Sequence, residues 1–268
     1  MSSDRSAQAR AQAFRALHTN GPLVLPNAWD PGSARAIEAA GAKAVATTSA
    51  GVSWAEGVAD AGGLTRAAAL AVLRRIARVI SVPLTADLES GYGETAAEVG
   101  QTIAEVIEIG VVGINLEDSV GHQLIDPAIL AERIAAAREA AVASGIDLVI
   151  NARTDTHLFG DGSGTLERAR LYAEAGADVL FVPGVVNAET IRELVAGSPL
   201  PLNVMTGAGA PTINELASLG VARISVGPAI SAGAYGLAAA AAAELLATGT
   251  YDALVAAGNF GKHNELLR

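Results

Sequence analysis

The chain has 268 residues, a length that suits one α/β barrel, and its 51% hydrophobic content can fill a large core. Eighteen basic against 28 acidic residues give a net charge of −10 with no basic tract, which argues against a nucleic-acid partner and requires any anionic substrate to be held by a local device. Cysteine is absent, so disulfides, zinc–thiolate sites and thiol catalysis are excluded.

In chain order, residues 4–18 read as a polar helix with no apolar signal-peptide core, so a cytoplasmic location is expected. Eight short runs rich in Val, Ile or Leu follow, each bounded by Gly, Pro or polar residues: 22–28, 43–49, 83–89, 112–117, 147–152, 178–183, 201–206 and 222–227. Helical spacing fills the gaps, over 33–40, 66–79, 96–109, 127–143, 166–175, 188–195 and 212–219. Gly41, Gly110, Gly145, Gly176 and Gly220 stand where left-handed helix ends are expected. A long alanine-rich helix over 229–247 reads as packed helix, and no run is read as apolar and long enough to span a bilayer. Eight βα units predict a closed TIM-type (β/α)₈ barrel with an extra N-terminal helix and a C-terminal helical tail. The alternative, an open doubly wound sheet, is disfavoured because no G-x-G-x-x-G follows the first strand. One domain over residues 1–268 is expected, with its barrel core at about 22–247.

In such a barrel the chemistry gathers where strands end. Here those ends read PNAWD (Asn27, Trp29, Asp30), TTSAG (Ser49 to Gly51), ADLESGYG (Asp87, Glu89, Tyr92), INLED (Glu117, Asp118), INARTD (Asn151, Arg153, Asp155) and NVMTG (Asn203). Residues two apart on a strand share a face, so Asp87 and Glu89 should both point to the barrel mouth, beside Glu117. Clustered carboxylates need neutralising, and a hard dication such as Mg²⁺ or Mn²⁺ suits oxygen ligands. Pairing with arginines or helix capping is the structural alternative; Asp118, on the opposite strand face, is read that way. Arg153 is the one basic residue at the end of a central strand and the natural clamp for a substrate carboxylate. The small residues Ser49, Ala50 and Gly51 could add backbone donors. Tyr92 and His122 are the remaining candidates for a proton donor.

TADLESGYG, INLED and INARTD, preceded in order by PNAWD and TTSAG and followed by ELASLGVARISVG, resemble the isocitrate lyase and phosphoenolpyruvate mutase superfamily over roughly residues 26–227. The resemblance implies a barrel enzyme with a Mg²⁺ site for 2-oxo acids, and a homo-oligomer, dimer or tetramer, that exchanges a C-terminal helix. It implies direct metal ligation by Asp87, with Asp60, Glu89 and Glu117 holding the metal directly or through water. It assigns the substrate carboxylate to Arg153 and the turn Ser49, Ala50 and Gly51. Glu89 and Ala50 depart from that pattern, which more often has aspartate and glycine. A larger departure follows strand four, where the superfamily's lyases carry a long lysine-rich loop with a catalytic cysteine before Gly-His. This chain has the short segment EDSVGHQLIDP, with Val120 before Gly121–His122.

The expected function is a Mg²⁺- or Mn²⁺-dependent lyase that breaks a bond to C3 of a small 2-oxo acid through an enolate. Decarboxylation of an oxaloacetate-like substrate ranks first. Ser49, Ala50, Gly51, Asp87, Arg153 and Asn203 are expected at the substrate, and Arg153, Tyr92 and His122 in catalysis. The alternative is a barrel that binds metal and 2-oxo acid without turnover. A phosphate-binding barrel would need glycine-rich turns after strands seven and eight, for which TGAGAP and SVGPA are the only candidates. Neither a membrane nor a nucleic acid is expected as a partner.

Overall fold

The computed structural model describes residues 2–19, 21–207, 209–255 and 258–268. Its strands are β1 (Leu23–Leu25), β2 (Asn27–Ala28), β3 (Val45–Thr47), β4 (Leu84–Asp87), β5 (Gly113–Glu117), β6 (Ser119–Val120), β7 (Gln123–Leu124), β8 (Val149–Arg153), β9 (Val179–Val182), β10 (Leu202–Met205) and β11 (Arg223–Ser225). All but β6 and β7 lie side by side and parallel in one sheet, from β1 beside β11 round to β2 beside β3. β1 and β2 are one strand position divided at Pro26, whose missing N–H cannot extend the ladder. Counted so, eight parallel strands close the expected barrel.

The helices are α1 (Ser2–Ala16), α2 (Pro31–Ala39), α3 (Ser49–Ala55), α4 (Arg66–Ala77), α5 (Ala96–Ile109), α6 (Pro127–Ser144), α7 (Thr156–Phe159), α8 (Thr165–Glu174), α9 (Ala188–Gly197), α10 (Ile213–Ser218), α11 (Ala229–Ala247) and α12 (Phe260–Leu266). The five expected helix-end glycines all have positive φ, from 68° at Gly145 to 105° at Gly176. N-caps set the other ends: Thr95 and Glu98 form a reciprocal capping box on α5, and Asp30 caps α2 through the Ser33 N–H. Asp30, read in the sequence as a rim residue, is thus spent on its helix.

α1 closes the barrel floor. Its Phe14 is fully buried, and a Cβ on Gly113 would come within 2.5 Å of the Phe14 ring. Arg15 ties the helix to Asp147 and Asp178 at the starts of two strands.

Three expectations are corrected. Ser49 to Gly51 do not form a tight turn; they are the first turn of α3, behind Thr48 in extended conformation. α11 is not packed helix within this chain, since only Ser231 and Ala241 along it are buried. It is also, by length and composition alone, apolar enough to cross a membrane, with a mean hydropathy of 1.4. The sequence pattern could not separate these cases because an alanine-rich helix is apolar on every face and marks no buried side.

Candidate active site

β4 ends at Asp87, and the chain then turns sharply: Glu89 adopts a left-handed conformation, φ 51°. Strand alternation therefore does not carry Glu89 to the barrel mouth; the left-handed turn does, an unfavourable conformation for a residue with a side chain. The Tyr92 hydroxyl donates to Glu89 Oε1 at 2.8 Å and the Gly62 N–H to Oε2 at 3.0 Å. Burial raises the Glu89 carboxyl above the usual carboxylate range, Asp87 and Asp60 add to the rise, and the two hydrogen bonds oppose it.

Asp87 Oδ2 accepts the Ser49 N–H at 3.1 Å, so that donor of the small-residue turn faces a carboxylate of the protein. Asp87 Oδ1 and Asp60 Oδ1 are buried and accept no hydrogen bond from the protein. On the next two strands alternation does hold. β5 and β8 run in register with Asn115 opposite Asn151 and Glu117 opposite Arg153. Arg153 Nη1 pairs with Glu117 at 2.8 Å, and its Nε with Asp155 at 2.6 Å. The guanidinium also lies 5.7 Å from the centre of the Phe181 ring. Burial pushes Glu117 well above its ordinary range; Arg153 opposes this in part, while Asp87, Asp155 and Glu89 reinforce it. Asp155 is itself fixed by Ser119 Oγ.

These groups line one cavity of about 300 Å³ at the C-terminal ends of the strands. Of the residues assigned in the sequence to metal, substrate or catalysis, Ser49, Ala50, Asp60, Asp87, Glu89, Glu117, His122 and Arg153 line it. Three do not. Gly51 faces packing instead: a Cβ there would lie 2.8–2.9 Å from Thr48, Ser231 and Trp29. Tyr92 stands behind Glu89, its phenol pushed upward by burial and by that carboxylate. Asn203 is fully buried within the barrel. Asp118, read as structural, is also fully buried and accepts from Arg168, Tyr172 and the Asp155 N–H.

A dication fits the carboxylate oxygens present, two of which, on Asp60 and Asp87, are buried without partners in a cluster that outnumbers the guanidinium of Arg153. Among the described residues no three Asp, Glu or His side chains converge as direct ligands of a single ion. That arrangement suits a metal that keeps several waters, as Mg²⁺ does.

Residues 14–246 match the phosphoenolpyruvate phosphomutase family. The chain belongs to that family. A crystal structure from Burkholderia cenocepacia J2315, provisionally assigned as a phosphonomutase, is 47% identical, with a TM-score of 0.85 over 88% of this chain and 99% of that one. The 2-methylisocitrate lyase of Escherichia coli K12 is 31% identical over 81% of this chain and 78% of its own length. Oxaloacetate acetylhydrolase in complex with oxalate superposes with a TM-score of 0.88 at 26% identity, over 96% of this chain and 93% of that one.

Where the family's lyases are expected to carry a long loop after the fourth barrel strand, this member has the β6–β7 hairpin. Its two-residue turn, Gly121 (φ 56°) and His122 (φ 63°), is left-handed at both positions, which matches the twist of a tight hairpin. The turn presents Val120 and His122 to the cavity, and the His122 ring rests 5.3 Å from that of Phe159.

Two features escaped the sequence reading. The anchoring of Arg153 by Asp155, itself held by Ser119, is one; the R-x-D spacing in INARTD was the available signal. Arg223 is 1% exposed inside the barrel, where its Nη2 donates to Asn115 Oδ1 at 3.3 Å. It begins a strand, so a search of strand ends passes over it. The lone arginine in the apolar run VARIS was the available signal.

Proposed function

We propose that this protein is a Mg²⁺- or Mn²⁺-dependent lyase that acts on a small 2-oxo acid through an enolate, with decarboxylation of an oxaloacetate-like substrate as its reaction. The supporting observation is one cavity in which the partnerless oxygens of Asp60 and Asp87 share space with an anchored guanidinium, Arg153. Asp87 and Asp60 would hold the metal, with Glu89 and Glu117 reaching it directly or through water. When bound, such a metal acts as a Lewis acid on the 2-oxo oxygen and the adjacent carboxylate. Arg153, kept planar and immobile by Glu117 and Asp155, orients the substrate carboxylate. The Ser49 side chain and Ala50 border the same space, the Ser49 N–H being taken by Asp87. The C3–C4 bond breaks, its electron pair becomes the enolate, CO₂ leaves, and C3 takes a proton from water or from His122. Tyr92 is assigned to positioning Glu89.

The relatives named 2-methylisocitrate lyase and oxaloacetate acetylhydrolase support an enzyme for small carboxylate substrates. Isocitrate-type cleavage is not expected, because the hairpin carries Val120 where those lyases have their cysteine. The assay is pyruvate release from oxaloacetate with Mg²⁺, corrected for the metal-catalysed background. Asp87→Ala should abolish it, together with Mg²⁺-dependent binding of oxalate. Wild-type turnover no faster than background, with oxalate still bound, would favour the second reading: a barrel that binds metal and 2-oxo acid without chemistry. The shortness of the β6–β7 hairpin is what keeps that reading in play. Of the phosphate-turn candidates, TGAGAP includes Ala208, which lies outside the described residues, while Gly227 and Pro228 of SVGPA border the same cavity.

We also propose a cytoplasmic homo-oligomer, dimer or tetramer. The uncovered apolar length of α11 supports it, and sedimentation velocity tests it.

A further inference from the structure

Two asparagines border the cavity, and their amides are used differently. Asn27 gives its Nδ2 to the Thr47 carbonyl at 2.8 Å and takes the Val226 N–H on its Oδ1 at 3.0 Å, so both ends of that amide tie barrel segments together. Asn115 is engaged at one end. Its Oδ1 accepts from Asn151 Nδ2 at 2.8 Å and from Arg223 Nη2 at 3.3 Å, while its Nδ2 has no partner among the described residues.

The Arg223 contact decides which end of the Asn115 amide is which. A guanidinium has donors and no acceptor, so the atom it touches must be the amide oxygen. Arg223 and Asn151 lie inside the barrel, 1% and 0% exposed, so that oxygen is turned inward and the nitrogen of the same planar group points away. Both amide atoms of Asn203 are sealed and unpartnered; Asn115 Nδ2 is not among the sealed atoms, and it meets the cavity that its residue lines.

Its neighbours show what it faces. Asn115 is the register partner of Asp87 on one side and of Asn151 on the other, and it stands two residues before Glu117, on the same strand face. Asp87 Oδ1 is a buried acceptor without a partner, and Asn115 Nδ2 is a donor without one. No hydrogen bond joins the two. Complementary groups kept apart at one level of a cavity are each free for a third group, and the group that suits Asn115 is an acceptor oxygen.

Arg223 also strengthens the donor. Hydrogen bonds in series polarise one another, so an amide whose oxygen receives a guanidinium gives its N–H more strongly. The gain is greatest towards an oxygen that carries negative charge. An amide already fixed by two buried donors needs no reorganisation when that charge develops.

We propose that Asn115 Nδ2 donates to the 2-oxo oxygen of the bound ligand and holds the enolate form more tightly than the 2-oxo form. This rests on the 2-oxo acid reading given above and adds to it a donor in the cavity floor. Asn115 keeps both its protons throughout; it stabilises the charge on oxygen and takes no part in protonating C3.

The test compares oxalate with pyruvate on the Mg²⁺-loaded protein by titration calorimetry. Both ligands offer one carboxylate to Arg153. Oxalate puts a charged oxygen where an enolate would carry its charge, and pyruvate puts a neutral one there. In Asn115→Leu, oxalate should weaken roughly ten- to a hundredfold and pyruvate roughly two- to tenfold, so the preference for oxalate falls about five- to tenfold. That substitution also strands two buried donors, so a crystal structure of the wild-type protein with Mg²⁺ and oxalate provides the second measurement. It should show an oxalate oxygen about 3 Å from Asn115 Nδ2. If the wild type binds no oxalate, the 2-oxo acid reading and this proposal fall together. If it binds oxalate, but the variant keeps the full preference or the crystal shows no ligand oxygen at Nδ2, the proposal alone falls. Lost preference with the contact in place sustains it, whether or not oxaloacetate is turned over.

Discussion

Replacing Arg153 by methionine keeps an unbranched stem and removes the guanidinium with its charge. The side chains involved are shielded from water: Arg153 is 17% exposed, Glu117 11% and Asp155 0%. Solvent therefore screens the pairs little, and removing the cation leaves two buried carboxylates without it. Breaking a buried pair in this way costs about 3–5 kcal/mol of folding stability. Ligand binding should suffer separately, by the about 1.5–3 kcal/mol of one charged hydrogen bond, or roughly ten- to a hundredfold for oxalate. Urea unfolding reads the first loss and calorimetry with oxalate and Mg²⁺ the second. The stability loss should depend on pH with a definite sign. Burial already raises Glu117 in the folded protein, and Arg153 is the neighbour that lowers it. A carboxyl with a raised folded pKa takes up its proton more readily folded than unfolded. Its unfavourable charge thus weighs most above the folded value and fades as the pH falls towards the ordinary 4.5. The gap between wild type and Arg153→Met should narrow in acid. An equal unfolding midpoint and an equal oxalate affinity in the two proteins would refute both the buried pairing and the clamp.

Tyr92→Phe should cost about 1.5–3 kcal/mol in urea unfolding, the value of a hydrogen bond to a charged group, because the hydroxyl supports buried Glu89. A large fall in turnover with stability unchanged would instead mark Tyr92 as a proton donor. Acid should also loosen α1 from the barrel floor through His18. Burial and the nearby Arg223 hold its imidazole down at about 4, against an ordinary 6.5. A depressed histidine binds fewer protons folded than unfolded, so this stability is whole above 6.5 and is lost as the pH falls towards 4, about 3 kcal/mol in all. In His18→Gln, urea midpoints measured over that range should fall less steeply than in wild type; parallel curves would rule the residue out.

The strands and the carboxylate cluster were legible in the sequence for different physical reasons. Buried parallel strands must be apolar runs, and their ends must change to polar residues where the barrel meets solvent; ADLES, INLED and INARTD show both properties at once. Glu117 and Arg153 could then be placed by alternation, and the register of β5 with β8 agrees. Glu89 could not, because the strand stops at Asp87 and a left-handed residue brings its carboxylate round. α3 was hidden by its own composition, since SAGVSWA has the small residues of a turn and forms a helix through its packing on Trp29 and Ser231.

What the rim does not disclose is the polar layer beneath it. TIM barrels usually fill their interior with branched apolar side chains. Here Asn115, Asn151, Asn203 and Arg223 occupy the interior on four strands, with Asn151 Nδ2 donating to Asn115 Oδ1 at 2.8 Å and Arg223 donating to the same oxygen. Two donors on one Asn115 oxygen fix that amide, and Asn115 is the register partner of Asp87. Burial pushes the Arg223 guanidinium down to about 9, while the charge of Asp87 acts in the opposite direction. The attraction is mutual, so a cation embedded below the site offsets part of the negative charge gathered above it. Arg153 does the same from the rim. A cluster of this many carboxylates is tolerable in a folded barrel because cations flank it from two sides, and only the upper one stands where strand ends announce it.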